Sequence, residues 1–155
     1  MRGFSLLEVI IAIAVISTGV VGAVTLISRT ISASSAVRYQ LVASNLAQEG
    51  MEVIHNIRHT NWIENVAWDD GLLEGDSCVN FDSVALINPC LGESRRLFVF
   101  NNHYSHNQSG AATNFLRHIN ITSGLDNGTP YKLIRSTVVW DNNLINAEEQ
   151  LYNWK

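Results

Sequence analysis

Charge is scarce in this sequence. Asp, Glu, Lys and Arg together make up 15% of its 155 residues, against roughly a quarter in soluble globular proteins. The shortage is greatest at the start, where the charged residues between Met1 and Ser28 are Arg2 and Glu8. The formal net charge is -4, and the one adjacent basic pair is Arg95 and Arg96. Without a Lys/Arg cluster there is no electrostatic footprint for phosphate, so nucleic acid is not an expected partner. Proline is almost missing: there are 2, none before Pro89, so no residue in the first half must break a helix. Missing too are a Gly-x-Ser-x-Gly elbow, a phosphate-binding glycine loop and a Cys-x-x-Cys pair. No enzyme and no cofactor are expected.

What is present begins with an apolar run. The twenty residues from Val9 to Ser28 carry no charge and consist of Ile, Val, Ala, Leu, Gly, Ser and Thr. At 1.5 Å rise per residue that is about 30 Å, the thickness of a bilayer's hydrocarbon core. The apolar part of an ordinary secretory signal is shorter, roughly seven to fifteen residues. A cleaved signal is therefore disfavoured, although Ala33-Ser34-Ser35-Ala36 offers small residues at a plausible cleavage position. At this length the chain has room for one anchor and one small head.

After Arg29 the pattern turns amphipathic without breaking off. Val42, Leu46, Val53 and Ile57 recur near helical spacing with Gln48, Glu49, Glu52 and Arg58 between them, which predicts a helix half buried against the head and ending near residue 60. From residue 61 onward Asn, Ser, Asp and Gly separate short apolar runs, the texture of a small antiparallel sheet. Leu97 to Phe100 reads as one strand. Phe115 to Thr122 and Lys132 to Trp140 read as a hairpin closed through Asp126-Asn127-Gly128-Thr129-Pro130, with Ile134, Val138 and Trp140 on one face. A last strand is expected around Gln150 to Trp154. The fold class is thus α+β: a long amino-terminal helix, spanning over residues 4–28 and amphipathic over 29–60, packed on a β-rich head of residues 61–155.

Glu8 is the residue that needs explaining. A carboxylate held at the centre of a bilayer costs of order 2.5 to 3.5 kcal/mol on insertion scales. No Lys or Arg lies one helical turn away, so either the carboxylate reaches the headgroups at the end of an ordinary anchor or its partner is the amino terminus, Arg2 or another chain. The string Arg2-Gly3-Phe4-Ser5-Leu6-Leu7-Glu8-Val9 resembles the type IV prepilin signature: a short basic leader ending in Gly, then Phe, then Glu four residues on, then an unbroken apolar helix. The resemblance covers about the first thirty residues in motif and the whole chain in layout.

That resemblance implies a leader of residues 1–3, cleavage between Gly3 and Phe4 by a membrane prepilin peptidase, and methylation of the new amino group on Phe4. It implies that Glu8 meets the amino-terminal charge of a neighbouring subunit during assembly. Its partners would be other pilin subunits in a homo- or heteropolymer, the peptidase and an inner-membrane assembly platform. The precursor would be a single-pass protein of the cytoplasmic membrane with its amino terminus in the cytoplasm, later part of a cell-surface or periplasmic filament. The apolar helix lacks the proline of many major pilins, and the cysteines lie upstream of the final segment. Both features favour a minor pilin or pseudopilin, or a divergent major pilin; motility, adhesion, DNA uptake or type II secretion could each be served by such a filament. The alternative is a monomeric membrane-anchored module whose head binds an extracellular ligand.

The remaining candidates are modest. Cys78 and Cys90 could form a disulfide if the head faces an oxidising compartment. His55 and His59 stand at i, i+4, but two histidines do not close a metal site, and His103 and His106 lie in an Asn-rich run; all four are expected as surface polar residues and no metal is expected. Asn107, Asn120 and Asn127 each begin an Asn-x-Ser/Thr triplet, read as coincidence. Trp62, Trp68, Trp140 and Trp154 are expected in the core of the head.

Overall fold

The computed structural model describes residues 5–153; Gly3, Phe4 and Trp154 lie outside them. One helix, α1, runs from Leu6 to Ile63. The chain divides into two compact units between Tyr39 and Gln40. The first is the apolar length of α1, in which residues 5–39 are all exposed.

The second unit holds the end of α1 and six strands: β1 (Gly75–Ser77), β2 (Arg96–Phe100), β3 (His103–Ser105), β4 (Ala111–Asp126), β5 (Thr129–Trp140) and β6 (Asn143–Tyr152). They form one antiparallel sheet in the order β3-β2-β4-β5-β6, with β1 also on β4. The sixteen-residue β4 is central, pairing with β2 and then β1 along one edge and with β5 along the other.

The helix stops a few residues later than expected, at Ile63, for a local reason. Asn65 takes φ 57°, Val66 N–H donates to Asn61 O at 3.0 Å, and Asn65 N–H donates to Trp62 O at 3.3 Å. This is a left-handed Schellman cap with asparagine in place of the usual glycine. Asparagine does the same work in the hairpins. Asn127 and Gly128 at φ 48° and 84° join β4 to β5, and Asn101 and Asn102 at 49° and 65° join β2 to β3, both of them two-residue turns whose paired positive φ values match the strand twist.

The Asn-rich run around His103 contains strand β3. The last strand begins at Asn143, well before the expected Gln150, because β5 and β6 pair residue for residue from Trp140–Asn143 to Tyr131–Tyr152. Backbone pairing here overrides a polar sequence that lacks strand propensity.

One face of the sheet packs on α1. Met51, Val53, Ile54 and Ile57 share a buried cluster with Ile119, Ile121, Ile134 and Leu151. A second cluster joins Ala43, Leu46 and Ala47 to Leu97, Phe115, Val138 and Trp140. Ala43, Ala47 and Gly50 form a row of small residues on the helix, and at Gly50 even one methyl group would lie 2.7 Å from Ser136 Oγ and 2.8 Å from Ile119 Cδ1. Glycine there permits close helix–sheet contact.

The expectation that the tryptophans form the core holds for Trp140 and partly for Trp68. Trp62 is 46% exposed, next to the cap at Asn65 that ends α1.

Candidate functional site

The first unit is a functional surface because of what it exposes. Leu6, Ile10, Ile13, Val20, Val24, Ile27 and Ile31 are each more than half exposed, and such a continuous apolar surface marks contact with membrane or protein. Ser5 O accepts from the N–H groups of Glu8 and Val9 at 3.0 and 3.3 Å, forming the first turn. Glu8 sits in that turn, where the helix dipole favours an acid by about 0.3 to 1 kcal/mol. Among the described residues none pairs with its carboxylate.

Five hydroxyls of this length need no neighbours. Ser17 donates to Ile13 O at 2.7 Å, Thr25 to Val21 O at 2.8 Å, Thr30 to Leu26 O at 2.9 Å and Ser32 to Ser28 O at 3.1 Å. Thr18 shares its proton between Ala14 O and Val15 O. Each of these five hydroxyls is satisfied inside the helix, so none of them is an orphan donor in hydrocarbon. Gly19 and Gly22 have open space where a Cβ would stand.

Residues 1–24 match the family model described as the prokaryotic N-terminal methylation motif. The chain carries a type IV pilin-like prepilin signature. It spans Gly3, Phe4 and Glu8, of which only Glu8 lies among the described residues, and it runs straight into the exposed apolar helix. The signature and the helix together support a membrane-anchored precursor of a type IV pilin-like subunit. No curated protein and no solved structure matches the chain.

The other candidates sit in the head, apart from this signature. Cys78 and Cys90 are joined as a disulfide with their Cα atoms 5.2 Å apart, closing a loop that also pairs Cys78 with Ile87 through N–H···O contacts of 2.9 Å in both directions. Among the described residues no three His, Cys, Asp or Glu side chains group as metal ligands. His55 Nε2 lies 2.9 Å from Glu149 Oε2, and its ring centroid is 6.3 Å from that of His59. His103 stacks on Phe81 at 4.5 Å. Asn120 is tied to Asp76 at 2.8 Å, whereas Asn107 and Asn127 are exposed at turns.

His106 departs from the surface position expected of it. It is half-buried: Nδ1–H donates to Arg96 O at 3.2 Å, its Nε2 is enclosed without a partner, and burial followed by the nearby Arg117 charge lowers its pKa to about 4. The Arg95–Arg96 pair is turned to internal use as well. Arg95 Nη2 donates to Asp76 at 2.6 Å, and Arg96 Nε donates to Glu93 at 2.7 Å.

Arg117 was not singled out from the sequence. It is wholly buried on the helix-facing side of β4, between Phe115 of one core cluster and Ile119 of the other. Its Nη1 donates to Leu46 O at 3.0 Å and Glu49 Oε1 at 2.7 Å, and its Nη2 donates to Val79 O at 2.7 Å. The available signal was the period-two row Phe115-Arg117-Ile119-Ile121, whose apolar members imply an inward-facing arginine.

Proposed function

We propose that this chain is a structural subunit of a type IV pilus or pseudopilus, processed after Gly3, methylated on Phe4 and polymerised through α1. The observation that carries the reading is the methylation motif at residues 1–24 continuing without interruption into a helix whose apolar side chains are exposed. Hydrophobicity alone would suit any tether. The placement of an acid four residues after a Gly-Phe junction is what a polymer subunit adds.

The physical role of Glu8 follows from the same low dielectric that penalises it. An unpaired carboxylate in hydrocarbon is costly, and so is an unpaired terminal ammonium. Brought together from two subunits, they attract strongly where water is excluded. Packing between apolar helices is otherwise nearly indifferent to axial position, so this one pair selects a register. The peptidase, an inner-membrane assembly platform and other pilin subunits are the partners this role requires. The lack of proline in the apolar helix and the position of Cys78 and Cys90 favour a minor pilin or pseudopilin, with the head on the oxidising side of the membrane.

Mass spectrometry of the mature protein tests the processing: the expected amino terminus is N-methylated Phe4, and an intact Met1 or a start near Ser35 would overturn it. For assembly, Glu8→Gln keeps the shape and removes the charge. Filament incorporation, read by crosslinking to neighbouring subunits, should be lost. Unchanged incorporation would leave Glu8 merely favoured by the helix dipole.

A further inference from the structure

The Schellman turn at the end of α1 folds residues 64–70 back beside the end of β6 and leaves a cleft of about 360 Å³ between them. Its walls include Trp62, Trp68 and Tyr152, with Arg58, Asp69 and Asn153 among them. The aromatic wall is held in place before any ligand arrives. Asn61, itself buried, donates from Nδ2 to Trp68 O at 3.3 Å and to Asp70 O at 2.8 Å, fixing the loop that carries Trp68.

The composition of the walls narrows the ligand. Two indoles and a phenol ring offer flat apolar faces, and Trp62 leaves 46% of its surface in water, open to a ligand. An entirely apolar ligand would leave the polar groups that Asp69 and Asn153 bring to the wall unused. An ionic ligand finds no uncompensated charge: the wall holds one cation and one anion, and Asp69 already has Lys132 Nζ at 3.7 Å. What fits is a molecule with apolar faces, a rim of hydrogen-bonding groups and no net charge. We propose that this cleft binds a neutral saccharide of one or two rings, its C–H faces on the indoles and its hydroxyls on Asp69 and Asn153. The volume is at the lower end of the roughly 300 to 1,000 Å³ of small-molecule sites. This binding is separate from polymerisation and would stand if the filament reading failed.

The test uses the full chain in phospholipid nanodiscs, which contain no sugar-based detergent, titrated with cellobiose, lactose, maltose and N,N′-diacetylchitobiose while tryptophan emission is followed. At least one disaccharide should give a saturable change. Trp62→Ala should weaken it about tenfold, Asp69→Asn should weaken it several-fold, and Phe81→Ala, at an exposed aromatic outside the cleft, should leave it unaltered. Far-UV circular dichroism checks each variant, and if Trp62→Ala proves misfolded, Asp69→Asn decides alone. Four results would overturn the proposal: no saturation with any of the four sugars, saturation indifferent to both cleft substitutions, binding of sialyllactose in place of the neutral sugars, or binding only after Trp154→Ala. The last would mean that the chain itself occupies the cleft.

Discussion

Arg117 and Glu49 form an ion pair of 2.7 Å in which the arginine is wholly enclosed and the glutamate is one-third exposed. The pair links the central strand to α1, and two main-chain carbonyls accept from the same guanidinium, whose buried Nε–H has no partner among the described residues. Removing one partner of a buried pair costs about 3 to 5 kcal/mol, whereas an apolar residue of similar volume is often tolerated. Arg117→Ala should therefore destabilise the head by that amount in denaturant titrations, and Arg117→Met by much less. Glu49→Gln, at the more exposed partner, should cost about 1 to 3 kcal/mol. Equal losses in Arg117→Ala and Arg117→Met would show that the cavity matters and the charge does not.

Gly50 sets the distance between helix and sheet. Gly50→Ala should destabilise the head by about 1 to 3 kcal/mol through overpacking, and Ser136→Ala in the same chain should recover part of the loss by removing the nearer of its two contacts. Gly19→Ala and Gly22→Ala meet open space and should instead stabilise the helix of the unassembled subunit by about 0.5 to 1 kcal/mol each. Thermal melts of the four variants check all of this.

Acid should weaken the head through His106. Its pKa is lowered to about 4 in the folded chain, so on unfolding the imidazole returns toward its ordinary value near 6.5 and takes up a proton. Between those two values the unfolded state binds more protons, and stability falls as pH falls. The contribution is complete above about pH 6.5 and is gone below about pH 4. His118, also lowered, by burial and then by Arg95, adds in the same direction. In His106→Gln the slope of stability between pH 6.5 and 4 should be visibly shallower. An unchanged slope would place the acid sensitivity elsewhere.

Reduction should loosen the loop closed by Cys78 and Cys90. For a bridge across 12 residues, the chain-entropy model gives a loss of about 3 kcal/mol. Melts with and without reductant, compared with Cys78→Ser/Cys90→Ser, read that loss. The oxidised protein should be two hydrogens lighter than the reduced one by mass spectrometry.

The parts of the fold that were legible in the sequence are those fixed by local rules. The long helix follows from the absence of proline, and the β4–β5 hairpin from Asn127-Gly128 flanked by alternating apolar residues. The prepilin signature could be read because it is a contiguous string. What stayed hidden depends on contacts distant in sequence. Asn143 to Glu149 becomes strand because β5 offers it a partner, Trp62 faces water because the cap at Asn65 ends the helix there, and Arg117 is inside because Glu49 and two carbonyls converge on it. None of these is a property of the neighbouring residues.

The self-bonded hydroxyls of the apolar helix have a thermodynamic consequence. Hydroxyls already bonded to their own helix distinguish poorly between lipid and an apolar protein surrounding, so moving them from one to the other involves little hydrogen-bond enthalpy in either direction. Such a segment can exchange one solvent for the other and back again, and whatever decides the direction must come from outside the hydroxyls of Ser17, Thr18 and Thr25.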